Sequence, residues 1–152
     1  PRTRVVVAVP YGGVMRDIAA VRDLCASRSI SLVEDAAHAL FGSAAGQPFG
    51  TFGAIGALSF HATKNLSCGE GGAIVLNDPA LEERALVLRE KGTDRARFLR
   101  GEVDRYTWQD VGSSYLPSDM PGRQVLCFAS FYVLNDPTPF RCFPFGDFAS
   151  AG

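Results

Sequence analysis

No stretch of this chain is apolar for long enough to cross a bilayer, and no basic-then-apolar leader opens it. Neither a membrane span nor a secretory signal is therefore read, and a soluble, cytoplasmic protein is the default expectation. Excess charge of one sign is also missing. Fifteen Lys and Arg against sixteen Asp and Glu leave a net charge of −1, which argues against a nucleic-acid footprint or a membrane-attracting basic face. Metal-binding patterns are absent as well. The four cysteines (Cys25, Cys68, Cys127 and Cys142) form no C-x-x-C pair, and His38 and His61 are not spaced with them as zinc ligands. Reduced thiols are the simplest reading, although Cys68, in a glycine-rich turn, is a candidate for exposure. No internal repeat or low-complexity tract is visible.

What is present suits a folded domain. The 152 residues are 47% hydrophobic and 20% charged, close to globular averages and enough for one core. "RVVVAVPYGG" reads as a buried strand running into a glycine turn. In "MRDIAAVRDLCASRS", Ile18, Val21, Leu24 and Cys25 recur at helical spacing. "ISLVEDAAH" is a second strand, apolar through Val33 and then abruptly acidic. Strand, helix and strand within about 35 residues make a βαβ unit, so the two strands are expected to be parallel. "FGSAAGQPFGTFG" reads as a loop, "AIGALSFHA" as a third strand, "SCGEGG" as a tight turn and "AIVLND" as a fourth strand. A helix follows, with Asp78 as N-cap, Pro79 at its first position and Gly92 just past its end. From Thr93 to Asp119 the chain reads as a long irregular segment with Phe98, Tyr106, Trp108 and Tyr115.

Polar residues gather where strands end. Glu34 and Asp35 close the second strand, and Ser59, His61 and Lys64 close the third. In parallel α/β sheets ligands bind beyond the carboxyl ends of the strands. An acid and a lysine at one such rim suit pyridoxal phosphate, which needs an amine for a Schiff base and an acid beside its ring nitrogen. A hydroxyl such as that of Ser59 suits the phosphate. Pattern alone leaves blander readings open: a strand-end aspartate is often a cap, a loop lysine is usually solvated, and His61 serves equally as a turn residue. "GEGG" (Gly69–Gly72) lacks the lysine and hydroxyl of a P-loop and reads as a tight turn. The charges of "LEERALVLREK" read most simply as a solvated helix face, and Arg95, Arg97 and Arg100 are candidates for a nucleotide diphosphate.

Three blocks in order, "VEDAAHALFGS", "GTFGAIGALSFHATKNLSCGEGGAIVLNDP" and "VLREKGTDRARFLRGEVDRYTWQDVGSSYLPSD", resemble the DegT/StrS-type sugar aminotransferases. The resemblance runs from about Val5 to Asp119. It implies an α/β fold, a fragment of the fold-type I large domain of pyridoxal-phosphate enzymes, with a mostly parallel sheet flanked by helices. It further implies that Lys64 is the Schiff-base lysine, Asp35 the partner of the ring nitrogen and Ser59 a phosphate ligand. His38 falls where the family has Gln or His near the cofactor's 3′-oxygen. Ser114, in "GSSYLPSD", stands where many relatives place an asparagine that reaches the phosphate in the partner subunit. Relatives that dehydrate sugars carry histidine in place of the lysine, so Lys64 implies transamination. A sugar-nucleotide acceptor, glutamate as amino donor and a homodimer are implied too.

The chain departs from this pattern in places. It lacks an initiating methionine and enters a strand at once, so a fragment is expected, without the family's N-terminal phosphate loop and stacking aromatic or its C-terminal small domain. Residues 1–119 are read as part of the cofactor-binding large domain. Residues 120–152, rich in Phe and Pro, do not resemble the family; a frameshift or truncation near Met120 is the expectation there. Two other classes stay open: a catalytically inactive α/β fragment that keeps ligand or partner binding, and a chain with no stable fold.

Overall fold

A computed structural model describes residues 2–116. These fall into two compact units that divide between Asn77 and Asp78. The proposed tail from residue 120 lies outside the described residues.

The first unit is built on a four-stranded sheet in the order β1-β2-β5-β6, formed by β1 (Val5–Ala8), β2 (Ser31–Asp35), β5 (Ile55–Ser59) and β6 (Gly72–Leu76). β1 and β2 run parallel, as the βαβ spacing requires, with Val5 opposite Ser31 and Ala8 opposite Glu34. β2 and β5 are also parallel, with Val33 opposite Ile55 and Asp35 opposite Ala57. β6 returns antiparallel to β5, because the segment joining them closes as a hairpin and leaves no length for a crossover.

Strand residues alternate between the two faces. Val6, Ala8, Leu32 and Leu58 turn to one side, where they meet Ile18 and Cys25 of α1 (Ile18–Ser27) together with Ala36, Ala39, Phe49 and Phe52. Ile18 is fully buried, which contributes roughly 1.5–3 kcal/mol for such a side chain. Leu24, expected on the buried stripe, is 53% exposed. Ile18, Val21 and Cys25 share one helix face at 100° per residue, whereas Leu24 falls about 120° away from Ile18. The opposite sheet face carries Val5, Val7, Val33, Asp35, Ile55, Ala57, Ser59 and Ile74. Val5, Val7 and Ile74 on it are half-exposed.

The segment read as a plain loop between β2 and β5 contains a small hairpin, β3 (Ser43–Ala44) with β4 (Gln47–Pro48). Its two turn residues, Ala45 and Gly46, both have positive φ, the conformation that matches the twist of a two-residue hairpin. Ala45 gives no sequence signal for that geometry.

The second unit starts as expected. Asp78 caps with its carboxylate, which accepts the Ala80 N–H at 3.0 Å, and Pro79 opens a short 3₁₀ turn that leads into α2 (Glu82–Arg89). Gly92 follows at φ +72°, and a Cβ there would lie 1.8 Å from the Asp110 carbonyl oxygen, so no other residue fits. The segment from Thr93, read as irregular, contains α3 (Arg95–Leu99). Asp94 precedes it but caps nothing with its side chain. Its buried carboxylate accepts instead from the Thr107 N–H at 2.6 Å and the Gln109 amide at 3.0 Å. Among the described residues no helix is long and apolar enough to cross a membrane.

Candidate active site

The parallel strands β1, β2 and β5 end on one rim of the first unit, and four of the five predicted site residues lie on or just beyond it. Asp35 is the last residue of β2. It is exposed, and its carboxylate accepts the Ala37 N–H at 3.2 Å. Asp35 and Ala57 are register partners, and Ser59 stands two residues beyond Ala57, so Asp35 and Ser59 share one sheet face. The pairing continues past the strand through Ala36 N–H to the Ala57 carbonyl at 2.9 Å, which fixes the relative height of the two strand ends.

Beyond Ser59 the chain turns back in a closed loop. Phe60 N–H donates to Gly71, Ala62 N–H to Gly69 and Cys68 N–H to Phe60, each at 2.9 Å. Lys64 lies at the tip of this loop, half-buried, with its own N–H donating to the His61 carbonyl at 2.9 Å. His61 belongs to the turn: its N–H donates to Ser59 Oγ at 3.4 Å, and its Nδ1 accepts the Thr63 N–H at 3.3 Å. A backbone N–H can only donate, so Nδ1 is an acceptor and the ring proton sits on Nε2, 3.6 Å from Glu70. Among the described residues neither Asp35 nor Lys64 is engaged in an ion pair. "GEGG" is the tight turn expected, with Gly69 at φ +88°. Cys68, considered as an exposed thiol, is buried, and its Sγ donates to the Glu70 carbonyl at 3.2 Å.

His38 is exposed, and its ring stacks on Tyr11, with centroids 4.8 Å apart and planes 20° from parallel. Tyr11 comes from the turn after β1 and adds a third strand end to the rim. Sequence reading passed over it: in "PYGG" the glycines announced a turn, and nothing local showed that the ring would meet His38. Glu34, grouped with Asp35 from the sequence, goes the other way. It is fully buried on the core face, because adjacent strand residues point to opposite sides. Ser114 lies in the second unit, exposed and in a backbone bridge with Glu90.

The arginines considered for a diphosphate are engaged within the second unit. Arg95 pairs with buried Glu90. Arg97 reaches Glu102 at 3.3 Å, and Arg100 reaches Glu102 at 2.5 Å and Glu83 at 3.5 Å. The hydrogen bond to Glu102 raises the Arg100 pKa, and the same bond holds the Glu102 carboxyl below the usual range. Among the described residues no group of His, Cys, Asp and Glu is arranged to hold a metal ion.

The DegT/DnrJ/EryC1/StrS aminotransferase family matches this chain over residues 1–120. The chain belongs to this family. UDP-4-amino-4,6-dideoxy-N-acetyl-beta-L-altrosamine transaminase of Helicobacter pylori is 36% identical over 102 residues, covering 67% of the chain and 27% of that enzyme. dTDP-4-dehydro-2,3,6-trideoxy-D-glucose 4-aminotransferase of Saccharopolyspora spinosa is 32% identical over 125 residues, covering 79% and 32%. The solved aminotransferase TlmJ from Streptoalloteichus hindustanus superposes with a TM-score of 0.70 at 34% identity, covering 82% of the chain and 33% of its own. The chain thus spans about a third of the length of these relatives. It is homologous to pyridoxal-phosphate-dependent sugar-nucleotide aminotransferases, and its sheet and flanking helices are part of their α/β fold. The DegT family's cofactor is pyridoxal 5′-phosphate. The donor set of the rim fits that group: a carboxylate, a hydroxyl and an amine, with the carboxylate and amine held in no ion pair.

Proposed function

We propose that the chain is the lysine-bearing part of an enzyme that transfers an amino group to C4 of a 4-keto-6-deoxy sugar nucleotide. The acceptor proposed is of the dTDP-4-dehydro-6-deoxyglucose type and the donor is glutamate, the reaction of a dTDP-4-amino-4,6-dideoxygalactose transaminase in the synthesis of a bacterial surface polysaccharide. The setting is cytoplasmic, and the working unit is a homodimer. Residues 1–119 belong to the cofactor-binding domain, with 120–152 outside it.

The observation that carries this reading is the placement of Asp35 and Ser59 on one face at one rim, with Lys64 at the tip of the loop that Ser59 opens. When bound, pyridoxal phosphate supplies an electron sink for charge developing at the substrate carbon. Asp35 holds the proton on the ring nitrogen, so that the ring stays electron-poor. Ser59 donates its hydroxyl hydrogen to the phosphate. Lys64 would hold the cofactor through Nζ and, with that amine free, would move a proton as general base and acid. His38, its ring held by Tyr11, would serve the cofactor's 3′-oxygen, and Ser114 would donate to the phosphate in the partner subunit's site.

The alternative reading is a catalytically inactive α/β segment that keeps ligand or partner binding. Borohydride reduction in the presence of pyridoxal phosphate, followed by peptide mapping, separates the two. A reduced adduct on Lys64 that disappears in Lys64→Ala supports the cofactor site. Adducts spread over both lysines (Lys64 and Lys91), or none, favour the inactive segment.

A further inference from the structure

The turn that precedes β5 is held from both sides. Fully buried Glu34 accepts three backbone N–H groups through its carboxylate: Gly50 on Oε2 at 2.7 Å, and Phe52 and Gly53 on Oε1 at 2.6 and 2.8 Å. Asn77 takes the carbonyls of the same turn. Its Nδ2 donates to Gly50 at 3.0 Å and to Gly53 at 2.7 Å. The donors of one short turn thus go to β2, and its carbonyls go to the residue just after β6.

This turn leads directly into the strand that carries the candidate site. β5 pairs with β2 over only three residues, Ile55, Gly56 and Ala57, and Gly56 and Ala57 supply little side-chain packing to hold that pairing in place. A slip of one residue would turn Ser59 to the core face and displace the Lys64 loop with it. The turn opposes the slip, because Gly56 packs against the Gly50 backbone with no room for even a Cβ. β2 is therefore linked to β5 twice. Asp35 stands on one face at the rim, and on the other its neighbour Glu34 grips the turn that leads into β5.

We propose that Glu34 and Asn77 are positioning residues: together they set the register that places Ser59 and Lys64 relative to Asp35. The proposal rests on the cofactor-site reading only for its consequence in catalysis, and its main test needs no cofactor. Backbone hydrogen exchange is followed in the 152-residue chain, in Glu34→Gln and in Asn77→Ala. Glutamine presents an N–H donor where one carboxylate oxygen accepts, so at least one turn amide loses its partner. Bonds to charged groups are worth enough that exchange at Phe52 and Gly53 is expected to quicken about tenfold or more.

The decisive amides are those of Phe60, Ala62 and Lys64, which bond only within the distal loop, with Val21 of α1 as control. Positioning predicts that the distal three quicken with the turn while Val21 does not. Acceleration confined to residues 50–53, or equal acceleration everywhere including Val21, overturns the proposal. If Glu34→Gln does not fold, Asn77→Ala carries the same comparison, since its side chain is only half-buried. Borohydride trapping on the same variants gives the second readout. A fall in Lys64 adduct per folded molecule supports the proposal, and an unchanged yield overturns it. Absence of adduct in the unsubstituted chain would remove the cofactor reading alone and leave the exchange result to decide the clamp.

Discussion

Gly56→Ala puts the packing around β5 to a quantitative test. A Cβ at this position would lie 2.3 Å from the Gly50 oxygen, 2.5 Å from its Cα and 2.7 Å from its carbonyl carbon, where ordinary contact begins at 3.4 Å. The obstacle is backbone, so no rotamer change relieves it. Gly50 cannot retreat freely either, because its N–H is held by Glu34 and its carbonyl by Asn77. Relief requires parting β5 from β2 or giving up those bonds. The cost is expected at the upper end of overpacking, about 3 kcal/mol. With a urea m-value of about 1.5 kcal/mol per molar, that moves the unfolding midpoint down by about 2 M. Urea titration followed by far-UV circular dichroism reads the shift directly. A midpoint within about 0.5 M of the unsubstituted chain would refute the packing argument, since 1.5 times that interval is under 1 kcal/mol.

Other consequences are open to simpler measurement. Ile18→Ala removes a fully buried side chain from the contact between α1 and the sheet, and is expected to cost about 2–5 kcal/mol by the same titration. In the second unit, NMR titration of Glu102 should give a midpoint below that of a free glutamate, and Arg100→Ala should return it toward the ordinary value. Its depressed pKa means that any stabilisation from this ion pair is present above the unfolded-state pKa and is lost as pH falls through the folded one. The pair is exposed, so added salt should weaken it.

Much of the site was legible in order along the chain, because its signals are local. An apolar run that ends in Asp35, and another that ends in Ser59 with Lys64 five residues on, reveal strand ends by composition alone. The βαβ spacing then sets β1 and β2 parallel. Asp78, Pro79 and Gly92 likewise mark the ends of a helix by chemistry that acts within a few residues. Adjacent letters hide what depends on direction and distance in space. Glu34 and Asp35 look equivalent in "VED", yet the pleat sends one to the core and the other to the rim. Tyr11 and His38 are 27 positions apart and meet only because β1 and β2 end side by side. The sequence by itself determined the four strands of the sheet, α1 and α2, the strand ends and the lysine at the third of them, through periodicity and punctuation. Only the tertiary structure decided which face each polar residue takes, that Glu34 and Asn77 grip one turn, and that Arg95, Arg97 and Arg100 pair with glutamates of their own unit. Those outcomes rest on strand register and chain return, which no single segment encodes.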